Sequence, residues 1–162
     1  MENKEKVKIL FVCMGNICRS PMAQGVFRHL VQEAGRAAEI QTDSAGTHGY
    51  HIGEPPDERA EATTFARGID ISDLRARRAE PEDFLCFDFI LAMDQDNYHS
   101  LARICPPGME TKLMLLMDFA PQLKRREVPD PYYGGQRGFD QVLDMVEAAA
   151  QGLLEHLTRR VL

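Results

Sequence analysis

The feature that most constrains the fold is a short apolar run near the N-terminus, followed directly by a loop and the start of a helix. The run Val7–Val12 (VKILFV) is rich in apolar and β-branched residues, which is typical of a strand buried on both faces, as in a parallel sheet. Ser20 and Pro21 then form a favourable N-cap and N1 pair. Gly35 is well placed to end the helix that they begin. This stretch therefore predicts a strand, a loop and a helix N-terminus in that order.

The same alternation of short apolar runs and helical segments continues along the chain. We expect further strands at 39–44, 88–93 and 112–117, and further helices at 57–67, 95–103 and 139–157. The last helix is the clearest of these, since its apolar residues recur at helical spacing. Strands that alternate with helices form parallel βαβ units with right-handed crossovers. The sequence therefore predicts one α/β domain over residues 1–162, a three-layer α/β/α fold with a four-stranded parallel twisted sheet and helices on both faces.

Size, charge and the N-terminal sequence restrict the partners and the compartment. The chain has 162 residues, 44% of them hydrophobic, and a net charge of −6. It can therefore bury a core, while its long-range field repels nucleic acid and anionic lipid. The N-terminal apolar run is too short for a signal-peptide core or a membrane span. We expect a cytoplasmic monomer with no nucleic-acid or membrane partner, in which any anion site is made locally.

The loop after the first strand has the features of a site for a phosphate-like anion. A helix N-terminus offers unpaired backbone N–H groups and the positive end of the helix dipole, and Gly15 and Asn16 tolerate the positive φ angles that turn further N–H groups inward. Cys13 ends the strand at the focus of these donors, where thiolate is favoured over thiol. Arg19 can place two donors on two oxygens of a tetrahedral anion, and Ser20 can donate its hydroxyl to the thiolate. The loop therefore combines a nucleophile with an anion site.

Each of these residues also has a simpler interpretation. A cysteine at the end of a buried strand is usually a small core residue, and an arginine near a helix start is usually a solvated charge. It is the spacing between the strand, Cys13 and the Arg-Ser-Pro sequence at 19–21 that favours chemistry. The Walker pattern GxxxxGK[ST] and the dinucleotide pattern GxGxxG are absent from the sequence. Cys13 and Cys18 lack the Cys-x-x-Cys spacing of common zinc and redox sites, so we expect neither a metal nor a cofactor.

The motifs along the chain resemble those of a known family. CMGNICRS (13–20) is followed by DSAGT (43–47), GEPPDERA (53–60), AMDQDN (92–97) and VPDPYY (128–133). In this order the motifs resemble those of the low-molecular-weight protein tyrosine phosphatases over nearly the whole chain, and the N-terminal loop together with DPYY is a highly specific pair. The resemblance implies an enzyme that hydrolyses aryl phosphate monoesters through a phosphocysteine intermediate.

The resemblance also implies roles for particular residues. Cys13 would be the nucleophile, Arg19 would bind phosphate and the transition state, and Asp130, whose loop is restricted by the prolines on either side, would be the general acid and then the general base. Asn16 and Ser44 would share a hydrogen bond that keeps the loop in shape. The residues expected to contact phosphate or substrate are Met14, Gly15, Asn16, Ile17, Cys18, Ser20, Ser44, Tyr50, Tyr132 and Tyr133.

Three tyrosines are expected to form the walls of a deep slot. The rings of Tyr50, Tyr132 and Tyr133 can stack on an aryl phosphate, and phosphoserine is too short to reach the floor of such a slot. Other polar residues nearby have simpler interpretations: loop residues for His48 and His51, a helix N-cap for Asp94, and a solvated face for Arg75, Arg77 and Arg78.

Two roles stay open for Cys18. Cys18 can simply pack under the loop. Alternatively, after peroxide converts Cys13 to a sulfenic acid, Cys18 can capture it as a disulfide and make the site redox-sensitive.

Related activities on the same fold fit the sequence less well. Thiol-linked arsenate reductases need two further cysteines close together, whereas this chain has only Cys86 and Cys105 besides the pair in the loop. Phosphoarginine phosphatases carry a threonine where this chain has Ile17. A phosphotyrosine-binding module would have no use for Cys13 or Asp130. We therefore expect a phosphotyrosine-containing protein as substrate, with a tyrosine kinase as partner by family analogy only, and phosphate or another oxyanion in the loop.

Overall fold

Four strands form one parallel sheet in the computed structural model, which describes residues 5–132 and 134–162. The strand order is β2-β1-β3-β4, and every pairing is parallel. The strands are β1 (Val7–Cys13), β2 (Ile40–Gly46), β3 (Phe89–Ala92) and β4 (Leu113–Leu115). The helices are α1 (Arg19–Glu33), α2 (Glu58–Phe65), α3 (Asp83–Cys86), α4 (Gln95–Ile104) and α5 (Gly135–Arg160).

Alternate residues of the central strand β1 face opposite sides of the sheet, as in any strand. Ile9 and Phe11 lie in a hydrophobic cluster with residues of α1, α2 and α5, whereas Leu10 and Val12 lie in a second cluster with residues of α3 and α4. All four side chains are fully buried. This arrangement confirms the predicted three-layer α/β/α fold with helices on both faces of a four-stranded parallel sheet.

The long helix α5 forms much of one outer layer. It packs against α1 and α2, and its buried residues recur at helical spacing from Phe139 to Leu157. The predicted span was therefore right in its core, and the helix extends to Gly135 and Arg160 at its ends. Within the described ranges, no helix combines the length and the apolar content needed to cross a membrane.

Helix α1 begins two residues earlier than the sequence predicts, since Ser20 was expected at the N-cap and Pro21 at the first helical position. Arg19 is its first residue, and Cys18 occupies the N-cap position without a side-chain cap. Ser20 is therefore inside the first turn, and the prediction that it is the N-cap was wrong, because its hydroxyl is turned toward Cys13 instead. The predicted end of the helix was right, since Gly35 follows it with a φ of 70°.

Other boundaries differ where short elements leave little periodicity. The strand predicted to reach residue 117 ends at Leu115, because the chain turns into a 3-10 helix at Leu116–Phe119. The helix α3 was not predicted, since four residues amount to about one turn and carry no repeat. Helix α2 begins after Asp57, whose carboxylate accepts from the Arg59 N–H as an N-cap.

The carboxyl ends of the central strands lie at one edge of the sheet. Cys13 at the end of β1 is in register with Gly46 at the end of β2, and Val12 is in register with Ala92 at the end of β3. In parallel sheets, ligands bind beyond this edge, where the strand order reverses. The loops that follow β1, β2 and β3 therefore meet around Cys13.

Candidate active site

Cys13 lies at the bottom of a cavity of about 260 Å³, with only 3% of its surface exposed. The backbone N–H of Asn16 donates to its Sγ at 3.3 Å, and the Ser20 Oγ lies 3.0 Å from the same sulfur. Asn16 Nδ2 donates to Ser20 Oγ at 2.8 Å, which leaves the hydroxyl proton of Ser20 available. Its other acceptor, the Ala45 carbonyl, is farther away at 3.5 Å. The sulfur is therefore surrounded by donors suited to a thiolate.

The side chain of Asn16 holds the loop in its curved shape. Asn16 has a φ of 58° and is buried, and its Nδ2 also donates to Ser44 Oγ at 3.0 Å. Ser44 Oγ in turn donates to Gln24 Oε1 at 2.7 Å, and Asn16 Oδ1 accepts from the backbone N–H of Arg77 at 3.0 Å. The structure thus contains the Asn16–Ser44 hydrogen bond that the resemblance implied. It adds Gln24, whose only sequence signal is a polar residue on the buried side of α1.

Arg19 is a buried cation held from one side. Its Nη1 donates to Asp94 Oδ2 at 2.6 Å and to the Val128 carbonyl at 3.0 Å, whereas neither Nε nor Nη2 makes a hydrogen bond within the described residues. Burial acts to lower the pKa of Arg19, but the Cys13 thiolate and the Asp94 carboxylate outweigh burial and raise it. Arg19 is therefore a fixed positive charge with two donor nitrogens left for an anion.

Asp94 has two functions at the end of β3. Its Oδ1 accepts from the backbone N–H of Asn97 at 2.7 Å, which is the predicted N-cap of α4, while its Oδ2 binds Arg19. The N-cap interpretation was thus right but incomplete. An Asp can satisfy both partners because a carboxylate has two oxygens.

Asp130 lies on the opposite rim, on the loop that precedes α5. Its Oδ2 is 3.9 Å from Arg19 Nη2, and its Oδ1 accepts from the backbone N–H of Tyr132 at 3.0 Å. The loop is anchored just before Asp130, where the buried Val128 donates its N–H to the Met93 carbonyl at 2.8 Å. A carboxyl group therefore faces the same space as the thiol and the guanidinium.

Helix α2 supports that loop from the other side. Arg59 Nη1 donates to the Tyr132 carbonyl at 2.9 Å, and its guanidinium lies 5.1 Å from the centre of the Tyr132 ring. Asp57 fixes Arg59 through an ion pair of 3.0 Å and donates its own backbone N–H to the Ile17 carbonyl at 2.8 Å. The segment GEPPDERA thus ties the Cys13 loop to the Asp130 loop.

The cavity is lined by residues from three segments of the chain: Cys13, Met14, Gly15, Ile17, Cys18, Arg19, Tyr50, His51, Asp130 and Tyr132. Tyr50 is 72% exposed and stacks on His48 with ring centres 5.2 Å apart. The predicted wall residue Tyr133 lies outside the described residues. His51 lines the cavity although its sequence context indicated only a polar loop residue.

Comparison with known proteins identifies the family. The statistical profile of the low molecular weight phosphotyrosine protein phosphatases matches residues 8–162. A low molecular weight protein-tyrosine-phosphatase of Streptomyces coelicolor is 42% identical over 157 residues, covering 95% of each chain. A crystal structure of a protein tyrosine phosphatase from Entamoeba histolytica is 41% identical, with a TM-score of 0.93 over 97% of this chain and all of that one. The chain belongs to the low molecular weight phosphotyrosine protein phosphatase family. It is therefore a phosphatase.

Another similar solved structure belongs to a protein that is named for a different substrate. The crystal structure of a Drosophila arginine phosphatase is 30% identical, with a TM-score of 0.86 over 93% of this chain and 97% of that one. The fold of these phosphatases is thus shared by proteins named for two kinds of substrate, so the residues around the cavity must discriminate.

Three of the residues expected to contact substrate also support the phosphatase loop, residues 13–20, from below. Asn16, Ser20 and Ser44 are buried and do not line the cavity. The reason is that Asn16 and Ser20 turn their side chains inward to bond one another and the end of β2, as their hydrogen bonds show. They order the loop whose backbone faces the cavity.

The role expected of Gly15 was wrong in one respect. Asn16 has a positive φ of 58°, whereas Gly15 does not have a positive φ. A Cβ at Gly15 would lie 3.2 Å from His51 Cδ2, so the His51 ring would have to shift slightly. The constraint is stricter at Gly46, where a Cβ would lie 2.8 Å from the Met14 carbonyl oxygen, a backbone atom.

The interpretation of the basic cluster as a solvated face was wrong for Arg77. Its Nε pairs with Asp43 at 3.1 Å and its Nη2 pairs with Asp83 at 3.0 Å. Burial acts to lower the pKa of Arg77, but these two carboxylates outweigh it and raise the pKa. Arg77 therefore fixes the backbone N–H that Asn16 needs, while Arg75 and Arg78 are exposed as expected.

The two thiols of the loop have different surroundings. Both are free and buried, and both line the cavity. Burial raises the pKa of Cys18, and the neighbouring Asp57 and Cys13 raise it further. Cys18 is therefore held as a neutral thiol beside the thiol that receives the hydrogen bonds.

Proposed function

We propose that this protein hydrolyses phosphotyrosine in proteins, with Cys13 as the nucleophile, Arg19 as the phosphate clamp and Asp130 as the general acid and base. The observation that carries the proposal is the convergence of these three groups on one cavity, with the sulfur supported by Asn16 and Ser20. A nucleophile, a fixed cation and a carboxyl group are the parts that cleavage of a phosphate monoester requires.

The first step transfers the phosphoryl group to the enzyme. The Cys13 thiolate attacks phosphorus, an S–P bond forms, and the P–O bond to the aryl group breaks. Asp130 donates its proton to the departing aryl oxygen and becomes a carboxylate. The free nitrogens of Arg19 and the loop N–H groups stabilise the charge on the three equatorial oxygens.

The second step returns the enzyme to its starting state. The Asp130 carboxylate accepts a proton from water, and the water oxygen attacks phosphorus as the S–P bond breaks. Cys13 leaves as a thiolate, which the Ser20 hydroxyl stabilises by donating a hydrogen bond at the 3.0 Å separation found in the structure. Inorganic phosphate is released.

The shape of the cavity favours an aromatic ester. The sulfur is buried at the bottom, while Tyr50 and Tyr132 stand at the rim with 72% and 41% of their surfaces exposed. An aryl group can lie between such rings while its phosphate reaches the bottom. We extend the same role to Tyr133 on the basis of its position in the sequence alone.

The arsenate reductase alternative is disfavoured by where the other cysteines lie. Cys86 ends α3, directly before the amino end of β3, and Cys105 follows α4 before the amino end of β4. Cys13 lies at the carboxyl edge of the sheet. Because parallel strands place these two edges on opposite sides, neither thiol is positioned to relay a disulfide from Cys13.

The phosphoarginine alternative depends on the wall of the cavity. Ile17 lines it with an apolar side chain and offers no hydroxyl. The guanidinium of phosphoarginine is a polar group that needs hydrogen-bond partners when it is desolvated. We therefore place tyrosine ahead of arginine as the phosphorylated residue.

One assay tests the proposal with three proteins and three substrates. The wild type should turn over phosphotyrosine peptides far faster than matched phosphoserine or phosphoarginine peptides. Cys13→Ser should give no turnover, and Asp130→Ala should be slowed by about 100- to 10,000-fold on phosphotyrosine. Turnover by Cys13→Ser, or a preference for phosphoarginine, would overturn it.

The cellular substrate follows from the same chemistry. We infer that it is a phosphotyrosine protein of the cytoplasm, and family analogy adds a tyrosine kinase as a candidate. The Cys13→Ser protein retains the cavity without the nucleophile, so it should retain tyrosine-phosphorylated proteins in a pulldown. Competition by inorganic phosphate should release them.

A further inference from the structure

A second cavity of about 250 Å³ lies beside the catalytic one. Its lining is formed by Thr47, His48, Arg78, Ala79, Ser100, Leu101, Arg103 and Ile104, and we call it the basic groove. Leu101 and Ala79 are buried and give it an apolar floor. Its polar groups are two guanidiniums, two hydroxyls and an imidazole. None of the described residues that line it carries a carboxylate.

The two arginines of the basic groove are available to a ligand. Arg78 and Arg103 are exposed, and neither forms an ion pair with any residue in the described ranges, although the chain carries a net charge of −6. By contrast, Arg19, Arg59 and Arg77 each have a carboxylate within ion-pair distance. The basic groove is therefore a local positive site on an acidic protein, and such a site attracts anions.

The two cavities share a wall. Tyr50 lines the catalytic cavity and His48 lines the basic groove, and their rings stack 5.2 Å apart at an interplanar angle of 14°. An extended peptide rises about 3.3 Å per residue. A peptide whose phosphotyrosine occupies the catalytic cavity would therefore pass over the two rings and reach the basic groove within roughly two to four residues.

We propose that the basic groove binds a second anionic group, a carboxylate or a phosphate, carried by the substrate a few residues from its phosphotyrosine. The fork of each arginine suits two oxygens of either anion, and the hydroxyl of Ser100 can donate a further hydrogen bond. The Thr47 hydroxyl lies 2.9 Å from His48 Nδ1, which is its partner in the structure. This inference rests on the proposed phosphotyrosine activity. It adds that the protein selects phosphotyrosine in acidic or multiply phosphorylated segments.

Peptide binding to the Cys13→Ser protein tests the inference without requiring turnover. Each peptide carries one phosphotyrosine and, at one position within about four residues of it, Glu, Gln, phosphoserine or Ser. At one position or more, we expect Glu to bind about three- to tenfold more tightly than Gln, and phosphoserine to bind more tightly than Ser. The Glu and phosphoserine arms distinguish a carboxylate from a phosphate as the favoured group.

Arginine variants in the same Cys13→Ser background supply the decisive comparison. Arg78→Ala and Arg103→Ala should each reduce the preference for Glu over Gln, whereas Arg75→Ala, which removes an exposed arginine outside the groove, should retain it. About 0.5 M salt should weaken the preference as well. Affinity for the Gln peptide reports whether each variant keeps its catalytic cavity.

The inference is overturned if the Cys13→Ser protein with both arginines intact binds the Glu and Gln peptides equally, and the phosphoserine and Ser peptides equally, at every position. It is also overturned if the preference for Glu over Gln survives both Arg78→Ala and Arg103→Ala. Failure of the proposed function has a different signature, namely the absence of phosphotyrosine turnover by the protein with Cys13 intact. The two failures can therefore be told apart.

Discussion

At the scale of single residues, the two cysteines of the phosphatase loop differ in the groups around each sulfur. Cys13 Sγ has the Asn16 N–H and the Ser20 hydroxyl within hydrogen-bond distance. Cys18 is buried next to Asp57, and burial with the adjacent negative charges raises its pKa. Since the thiolate is the reactive form of cysteine, only one of the two sulfurs is set up for attack.

Alkylation by iodoacetate should therefore discriminate within one peptide. At neutral pH the reagent should modify Cys13 well before Cys18, because the raised pKa keeps folded Cys18 protonated even as the pH rises through the ordinary range of a thiol. Peptide mapping by mass spectrometry after brief exposure measures this. Inorganic phosphate should slow the reaction at Cys13, and Cys18→Ser should leave its rate unchanged. First labelling at Cys18 would contradict the assignment.

Asp94 is a positioning residue for Arg19, and its neutral variant tests that role. Asp94→Asn keeps a side chain that caps α4 well but removes the charge at 2.6 Å from Arg19 Nη1. We expect kcat/KM to fall by about 10- to 100-fold, as for loss of a hydrogen bond to a charged group worth about 1.5–3 kcal/mol. The inhibition constant of inorganic phosphate should rise in parallel.

Asp96→Asn is the matched control, since Asp96 is exposed on the same helix. Asp96→Asn should leave both kcat/KM and the inhibition constant of inorganic phosphate unchanged. If Asp94→Asn behaved like this control, the orientation of Arg19 would not depend on Asp94.

At the scale of elements, helix α5 packs closely against the turn that follows β4. A Cβ at Gly152 would clash with the carbonyl group of Phe119. Gly152→Ala should thus force the two segments apart and lower the free energy of unfolding by about 1–3 kcal/mol. Denaturant-induced unfolding measures the change.

Gly138→Ala in the same helix provides the comparison for Gly152→Ala. A Cβ at 138 meets Pro131 no closer than 3.6 Å, which is ordinary contact. Its expected effect on the free energy of unfolding is below about 1 kcal/mol, with stabilisation favoured. Equal losses in the two variants would mean that the contact with Phe119 is unimportant.

The connection from α2 to the Asp130 loop depends on Arg59. Arg59→Ala removes the donor to the Tyr132 carbonyl and should loosen the position of Asp130, the proposed general acid. The loss in kcat/KM, which reports the first step, should therefore be several-fold larger for phenyl phosphate, whose phenolate is a poor leaving group, than for para-nitrophenyl phosphate. Arg67 pairs with Asp144 and Glu147 of α5 instead, so Arg67→Ala should leave the turnover of both substrates unchanged. Equal losses on both substrates would argue against this role of Arg59.

The elements that the sequence predicted best are those with a long repeat or a strong terminal signal. The apolar run predicted the central strand, the helical periodicity predicted α5, and Gly35 predicted the end of α1. The start of α1 and the helix α3 could not be predicted, because the hydroxyl of Ser20 is recruited by a sulfur in the preceding strand and α3 is too short to repeat. Tertiary contacts determine where such short or interrupted elements begin and end, and local sequence patterns carry no information about those contacts.

At the scale of the whole molecule, the site is assembled from segments that are far apart in the chain. The sequence motif around Cys13 led to the proposed nucleophile and anion loop, and the resemblance to a family led to Asp130 as the proposed acid and base. The sequence could not predict hydrogen-bond and ion-pair partners that come together only where several loops meet at one edge of the sheet. Gln24 under Ser44, Arg77 beside Asn16 and the Arg19–Asp94 ion pair are of this kind.

The most direct test of the account is to identify where the phosphoryl group is attached during turnover. Asp130→Ala should accept phosphate from para-nitrophenyl phosphate, whose leaving group needs little protonation, but should hydrolyse the intermediate slowly because it lacks the base. Rapid acid quenching followed by mass spectrometry of the peptides locates the label. The account predicts one phosphoryl group on Cys13. A phosphoryl group on any other residue, or turnover with no covalent label at all, would contradict it.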